Sequence, residues 1–467
     1  ASFTGGLGNV YGNQYLFLDP EYLGKVSFWS FFIVGVAFGN LVMAWHITTY
    51  ILDGHRFRFI GTLQRPFTKF SLNNSMIPIL ILLYYIISMV RFQMENGLSS
   101  SIDILLFVIA LLLGILAIHL FMILYFRFTN KDIFIYLAGS LDKRLKKNVV
   151  SRDRVMKRVK EQRANEYSVT NYLDLNLKVR NTEKMKGIGN REAITRVFDQ
   201  NHFNSVVVEL FVIGIILILG FFMEVEFLQI PAAASALLIF AIAVMLVGAI
   251  SYWFKGWGLA FALLIFVSVN VSVKAGFGKG LNQATGLNYD TIKTAYSIEN
   301  LAFVHSQAQF EVDRLRMLLT LENWKAKWEN PKDQKMIFLC VSGGGQRAAL
   351  WTVNSLLKID SALIGSLMDQ TFLITGASGG VIGAAYYREM QSRYPEIALA
   401  QNSNELTERM GRDNLNPVIF GLLVNDLFFK IRKHEYAGKT YAVDRGYVFE
   451  KNLSKNLNYV LEKKVLD

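Results

Sequence analysis

The chain has 467 residues, 52% of them hydrophobic and only 18% charged, with a formal net charge of +12 and a mean hydropathy of +0.30. Soluble domains carry about 25% charged residues. This composition, with 35 Phe and 20 Tyr, excludes a disordered chain and points to a membrane protein of two or three domains. A single cysteine, Cys340, excludes an internal disulfide and a cysteine zinc cluster. The chain begins at Ala1 without a recognisable signal peptide and ends at Lys464-Val465-Leu466-Asp467, which reads as a fragment of a longer protein.

After a non-membrane segment, 1–25, six apolar runs follow: Val26–Leu52, Ser75–Val90, Ile102–Phe126, Val206–Met223, Ala232–Phe254 and Leu259–Val273. A helix needs about 20 apolar residues to cross a bilayer. The third and fifth meet this easily, the second is short and the sixth is marginal. Three spans are thus expected in 26–128 and three in 205–273. Between them, 129–204 is a basic segment: residues 127–203 hold 18 Lys/Arg against 9 Asp/Glu, a net of +9. Loop 53–74 adds Arg56, Arg58, Arg65 and Lys69 against Asp53, whereas Met94–Ser101 and Glu224–Pro231 carry no Lys or Arg. Alternating basic and non-basic loops follow the positive-inside rule and put both basic loops in the cytoplasm. Topology explains the charge more simply than nucleic-acid binding does, so no nucleic-acid partner is expected. Three further crossings put residue 274 onward outside, in the periplasm if the protein sits in a bacterial inner membrane. A sixth segment that re-enters without crossing would leave that part cytoplasmic.

His46 and His119 fall inside spans, where ionisable residues are functional candidates; a neutral, hydrogen-bonded His between helices is the plainer expectation. Asp103 begins a span and is expected at the interface. Gly35 and Gly39 form a Gly-x-x-x-Gly pair that could bring two helices close. Residues 274–335 read as a Gly- and Asn-rich linker followed by an amphipathic helix over 301–328, with Phe303, Phe310, Leu315, Leu318, Leu319 and Leu321 at helical spacing.

From 336 to 467 the rhythm becomes strand–turn–helix. Met336–Val341 predicts a strand buried on both faces. It runs into Ser342-Gly343-Gly344-Gly345-Gln346-Arg347-Ala348, then a helix over 348–359. Glycines permit a sharp turn and close backbone approach, and the helix start offers free N–H groups to an anion or a developing oxyanion. A second strand, Gln370–Thr375, leads into Gly376-Ala377-Ser378-Gly379-Gly380 and a helix over 381–392. This is the G-x-S-x-G nucleophile elbow in its required strand–turn–helix context. Alone the pentapeptide is weak. With the glycine loop 35 residues earlier, two consecutive βα units would set both turns side by side at one end of a parallel sheet.

Together, Ser-Gly-Gly-Gly-x-Arg-Ala and Gly-x-Ser-Gly-Gly resemble the patatin-like phospholipases and their cytosolic phospholipase A2 relatives. The resemblance covers about 336–467. It implies an α/β patatin-like domain, incomplete at its C-terminus, which would be joined to the α-helical polytopic membrane domain expected from the apolar runs. It further implies Ser378 as nucleophile, Gly343, Gly344 and Gly345 as the oxyanion loop, and Arg347, Gly376, Gly379 and Gly380 in support. The expected activity is acyl-ester hydrolysis on membrane phospholipid or lysophospholipid, without a metal or organic cofactor.

The family's base is an Asp in Asp-Gly-Gly or Asp-Gly-Ala, and neither occurs after Ser378. Asp444-Arg445-Gly446 comes nearest, but reads as the N-cap of a helix over 447–461. A base beyond residue 467 is the expectation. A Ser–Asp–His triad through Asp426 and His434 would place both in one helix-like run, Phe420–Lys433, so His434 is read as a solvated helix end and Asp413 and Asp426 as surface or capping groups. The run from Leu422 to Ile431 reads as a core helix, with an acyl pocket or lipid contact as alternatives. The other function class is a membrane scaffold or complex subunit whose patatin-like domain is inactive or binds lipid without cleaving it.

Overall fold

The computed structural model describes residues 13–57, 59–60, 63, 65–129, 169–182, 207–254, 257–275, 283–287, 289, 295–330, 335–394, 402–427 and 432–462. Most of the basic segment 129–204 lies outside the described residues. The chain forms two compact units: one comprises 1–282, 415–435 and 440–448, the other 283–414, 436–439 and 449–467.

In the first unit, helix α1 (Asn13–Leu18) precedes a small hairpin of β1 (Glu21–Tyr22) and β2 (Lys25–Val26). Four helices are long and apolar enough to cross a membrane: α2 (Phe28–Asp53), α4 (Met76–Glu95), α5 (Ser101–Thr129) and α7 (Ala232–Phe254). Between the first two lies α3 (Pro66–Asn73), and a hairpin of β3 (Asn171–Leu173) and β4 (Val179–Asn181) precedes α7. The expected fourth and sixth spans are the shorter apolar helices α6 (Val207–Phe221) and α8, which runs Gly258–Lys274. Among the described residues both are shorter than the four helices above.

The outer faces of α4 and α5 leave Ile77, Leu80, Ile81, Leu105, Leu116 and Leu124 half exposed or more. Such a surface is compatible with a lipid environment. Inward, α2 and α5 meet through small residues. A Cβ on Gly35 would collide with the Leu111 carbonyl and one on Gly114 with the Phe32 carbonyl, while Phe31 and Phe107 stack at 4.6 Å between centroids. Gly35 is thus a real contact point; a Cβ on Gly39, one turn on, would meet Ile118 Cβ at 3.2 Å. Helix α7 joins α2 where Thr48 Oγ1 donates to the Val244 carbonyl at 3.1 Å.

Several polar groups in the spans have hydrogen-bond partners. His119 Nδ1 donates to the Ile115 carbonyl at 2.8 Å, and His46, almost wholly buried, has Nε2 3.5 Å from Ser75 Oγ. Asp103 accepts from Ser100 Oγ at 2.6 Å in the first turn of α5, where the helix dipole favours a carboxylate.

The segment 415–426 packs within this unit. Asn416 Oδ1 accepts from Ala232 N at 2.5 Å, and Phe420, Leu423 and Val424 are buried with Ile216, Met223 and Met245. The core expectation for this run holds at Leu423 and Val424, whereas Leu427 is half exposed. Phe428, Phe429 and Ile431 lie outside the described residues. The helix-like run ends early: a short α-helix, Asn416–Gly421, passes into a π-helical turn, Leu422–Asp426. His434 sits instead on a strand, Lys433–Tyr436, its ring stacked on Tyr447 at 4.0 Å and Tyr441 at 5.7 Å. The solvated helix-end reading of His434 is therefore corrected: aromatic neighbours in Tyr441 and Tyr447 draw the ring into a stack.

The second unit opens with α9 (Ile298–Val304) and α10 (Gln307–Lys325), capped by Ser297 and Ser306, each accepting from a backbone N–H at 3.3 Å. The expected single amphipathic helix is thus two. Phe303, Phe310, Leu315, Leu318 and Leu319 are all exposed. Next come β5 (Ile337–Val341), α11 (Gly345–Ala362), the short α12 (Leu367–Gln370), β6 (Thr371–Gly376), α13 (Ser378–Arg393) and α14 (Ser403–Gly411). Strands β5 and β6 are parallel, with Cys340 opposite Thr375 and Val341 opposite Gly376. The expectation of a strand buried on both faces is corrected. Ile337, Leu339 and Val341 pack on the helical core, whereas Phe338 and Cys340 are exposed. Among the described residues this sheet has only two strands, so helices cover one face. The core beneath gathers Val353, Leu356, Leu357, Tyr386, Tyr387, Met410 and Leu457.

Replacing Gly114 by Leu would drive a side chain into the α2 backbone. Overpacking of this kind destabilises by roughly 1–3 kcal/mol, so thermal unfolding in detergent should show a clear drop in Tm. An unchanged Tm would show that α2 and α5 do not meet there.

Candidate functional site

The second unit builds its site from the ends of two parallel strands. Beyond β5 the backbone turns at Gly344 (φ +149°) and Gly345 (φ +63°), conformations that L side chains rarely adopt, and α11 starts at once. Beyond β6, Ala377 is extended, and its N–H donates to the Val341 carbonyl at 3.3 Å, carrying the strand pairing to the edge of the turn. Ser378 then takes φ +51° and opens α13. The left-handed region is strained for a non-glycine residue, and a strained strand-to-helix turn is what a nucleophile elbow presents.

The two turns touch. A Cβ on Gly343 would stand 3.4 Å from Ser378 Cβ and 3.6 Å from the Ala377 carbonyl oxygen. Gly379 and Gly380 are buried, and a Cβ on either would strike the carbonyl of Gly345 or Ser342 respectively. Gly376 is similarly closed off by the Val341 carbonyl, because the strands lie edge to edge there. These contacts bring Gly343, Gly344, Gly345, Gly376, Ser378, Gly379 and Gly380 into one place. Ser378 is exposed, at the start of one helix and beside the start of another. Each helix N-terminus contributes roughly half a positive charge and unpaired N–H groups. Negative charge developing on oxygen at Ser378 would be stabilised by both.

Two supporting groups had no motif to announce them. Gln346 Nε2 reaches the last turn of α14, donating to the carbonyls of Gly411 at 3.2 Å and Arg412 at 2.5 Å. It ties the glycine loop to a helix C-terminus whose carbonyls need donors. Buried Asp360, at the far end of α11, accepts from Leu367 N at 3.1 Å and Gln391 Nε2 at 2.8 Å. Burial, together with the neighbouring Asp360, pushes the Tyr387 phenol up from its ordinary value. This cluster fixes α11 against α13 behind the turns. Arg347 is exposed beside the loop.

Asp444 accepts from Tyr447 N at 3.0 Å and so caps the helix Arg445–Asn456. It belongs to the first unit and Ser378 to the second. Asp426, mostly buried, lies 3.5 Å from Arg445, and the Asp413 carbonyl accepts from Asn452 and Asn456 at 2.7 and 2.9 Å. Among the described residues no carboxylate or imidazole is hydrogen-bonded to Ser378, and no three His, Cys, Asp or Glu side chains cluster as metal ligands. Comparison of the chain with protein-family models, curated proteins and solved structures finds no match.

Proposed function

We propose that the protein is a membrane-integral serine acyl hydrolase of the patatin type, acting on the acyl esters of phospholipid or lysophospholipid. The observation that carries this reading is Ser378, exposed at φ +51° on a strand-to-helix turn with the Gly343–Gly345 loop packed against it. In the proposed reaction Ser378 Oγ attacks the ester carbonyl, its proton passing to a base. The lipid alcohol leaves with a proton, and water then hydrolyses the acyl-enzyme to free fatty acid and Ser378. Backbone N–H groups of Gly343, Gly344 and Gly345 would hold the oxyanion of each tetrahedral intermediate. Apolar spans in the same chain suit a substrate that resides in the bilayer.

Asp444 already caps a helix and is not assigned as the general base. The absence of a bonded carboxylate or imidazole at Ser378 among the described residues favours a second reading, a subunit of a membrane complex with an inactive patatin-like domain. The two readings separate on one reagent. A fluorophosphonate should label Ser378 of the full-length protein if it is an activated nucleophile, and Ser378→Ala should abolish both labelling and ester hydrolysis without altering membrane insertion. No labelling of folded wild-type protein would leave the inactive subunit.

Gly344→Val would misdirect the loop, because Gly344 needs φ +149° and a Cβ there would stand 3.2 Å from Ala348 Cβ. Loss of one oxyanion donor lowers turnover by about 10²–10³ in known cases. A drop of that size in kcat is expected, with insertion intact; turnover at the wild-type rate would remove the loop from the mechanism.

We further propose that residues 274 onward lie outside, across the membrane from the basic segment 127–203. On a Cys340→Ser background, a membrane-impermeant maleimide should label Ala308→Cys in intact spheroplasts and Lys178→Cys only after lysis. Labelling of both only after lysis would place the unit in the cytoplasm.

A further inference from the structure

A cavity of about 430 Å³ opens in the first unit where α2 ends and α3 and the β3–β4 hairpin come together. That volume lies within the usual range of about 300–1,000 Å³ for sites that bind small ligands. Its wall is aromatic, formed by Trp45, Phe57, Phe59, Phe70 and Tyr172, the last two almost fully buried. The cavity is structurally braced. Asn73 pairs with Leu173 as a strand would, donating to its carbonyl and accepting from its N–H, both at 2.9 Å. Asn74 Nδ2 donates to Thr49 Oγ1 at 2.7 Å, and Asp53 is paired with Arg56 at 3.3 Å.

What remains unpaired is all of one kind. Among the described residues, the Lys69 ammonium has no carboxylate partner and the Tyr172 hydroxyl no hydrogen bond. The Trp45 indole N–H, also in this wall, is buried without an acceptor. A buried donor without a partner calls for an explanation, and three donors, one of them the positively charged Lys69, call for an anion. In sequence, the segment 53–74 that supplies much of this wall carries four Lys/Arg, Arg56, Arg58, Arg65 and Lys69, against one Asp. The cavity is lined by Asp53, the last residue of the span Phe28–Asp53, and by Asn74, two residues before the span Met76–Glu95. Basic pockets at that level between spanning helices suit anionic lipid head groups.

We infer that this cavity binds one anionic phospholipid. Its phosphate lies against Lys69, Tyr172 and Trp45, its glycerol region against the aromatic wall, and its acyl chains in the bilayer. The aromatic wall selects a lipid over a free anion, since small ions gain nothing from Phe57, Phe59 and Phe70. The site is in the first unit and does not rest on the role proposed for Ser378, so either can fail without the other.

The test uses the full-length protein in detergent, with native mass spectrometry counting bound phosphatidylglycerol and phosphatidylcholine. One phosphatidylglycerol should be retained in preference to phosphatidylcholine. Lys69→Gln should weaken it about fivefold, the worth of one lysine toward an anionic lipid. Trp45→Phe, which keeps a ring and removes the donor, should weaken it too. Arg91→Gln is the control, since Arg91 is paired with Glu95 and lies about 24 Å along α4 from Ser75 at 1.5 Å per residue; it should leave binding unchanged. Equal retention of both lipids, or folded Lys69→Gln protein binding as wild type, would overturn the inference. Complete displacement of the lipid by inorganic phosphate at equal concentration would overturn it in favour of a free-anion site.

Discussion

The Gly345 carbonyl occupies the place where a side chain on Gly379 would stand, and the geometry of the second unit follows from that approach. Four residues on, the Ala349 carbonyl similarly fills the space beside Gly383. One helical turn separates the two contacts on each helix, so α11 and α13 run together from their first residues. Their N-termini are thereby level, and the loops that lead into them meet. A β-branched or larger residue at 379 would part the helices and carry the glycine loop away from Ser378. The convergence of two positive helix ends on one hydroxyl is thus a packing result before it is a chemical one.

The membrane unit reaches close contact by the same means under a different solvent. Between apolar helices in lipid the hydrophobic effect gives little net drive, and association depends on close packing and on buried hydrogen bonds. Gly35 and Gly114 let α2 and α5 approach backbone to backbone, and Thr48 supplies a hydroxyl to α7. Two further bonds anchor the N-terminal segment: Tyr85 donates to the Phe17 carbonyl at 2.8 Å and Gln93 to that of Leu18 at 3.1 Å. Both carbonyls lie in the last turn of α1, where helix carbonyls commonly take partners from outside the helix.

Where the sequence is legible, a single local cause decides the structure. The run Ile102–Phe126 forms α5 because its apolar residues go all the way round and only lipid and neighbours can cover them. The turns at 343–345 and 376–380 are readable because Gly344 and Gly345 take positive φ and a side chain on Gly376, Gly379 or Gly380 would strike a carbonyl. The illegible parts depend on distant partners. An apolar run such as Leu422–Val424 looks the same whether it lines a pocket, touches lipid or fills a core; its burial beside Ile216 and Met245 is settled by tertiary contact. His434 had no local pattern to mark its strand, because the rings that hold it are seven and thirteen residues away. The alternation of β5 escaped for a related reason: Phe338 and Cys340 are apolar yet exposed, so composition overstated the coverage of that sheet.

Positive φ alone does not single out Ser378. Leu23, Ile364 and Ala437 share it, and each stands immediately before a glycine that also has positive φ: Gly24, Gly365 and Gly438. Two consecutive left-handed residues reverse the chain, and those positions are ordinary tight turns. Ser378 is followed instead by Gly379 and Gly380 inside a helix, so its strain serves to pass from strand to helix in one residue. A non-glycine residue in that region costs about 1–3 kcal/mol and persists only where its surroundings over-determine it. Here they do. The Ala377 bond to Val341 fixes the residue before, and the close approaches of Gly379 to Gly345 and Gly380 to Ser342 fix the two after. With its backbone held from both sides, the serine stays on the exposed side of the turn.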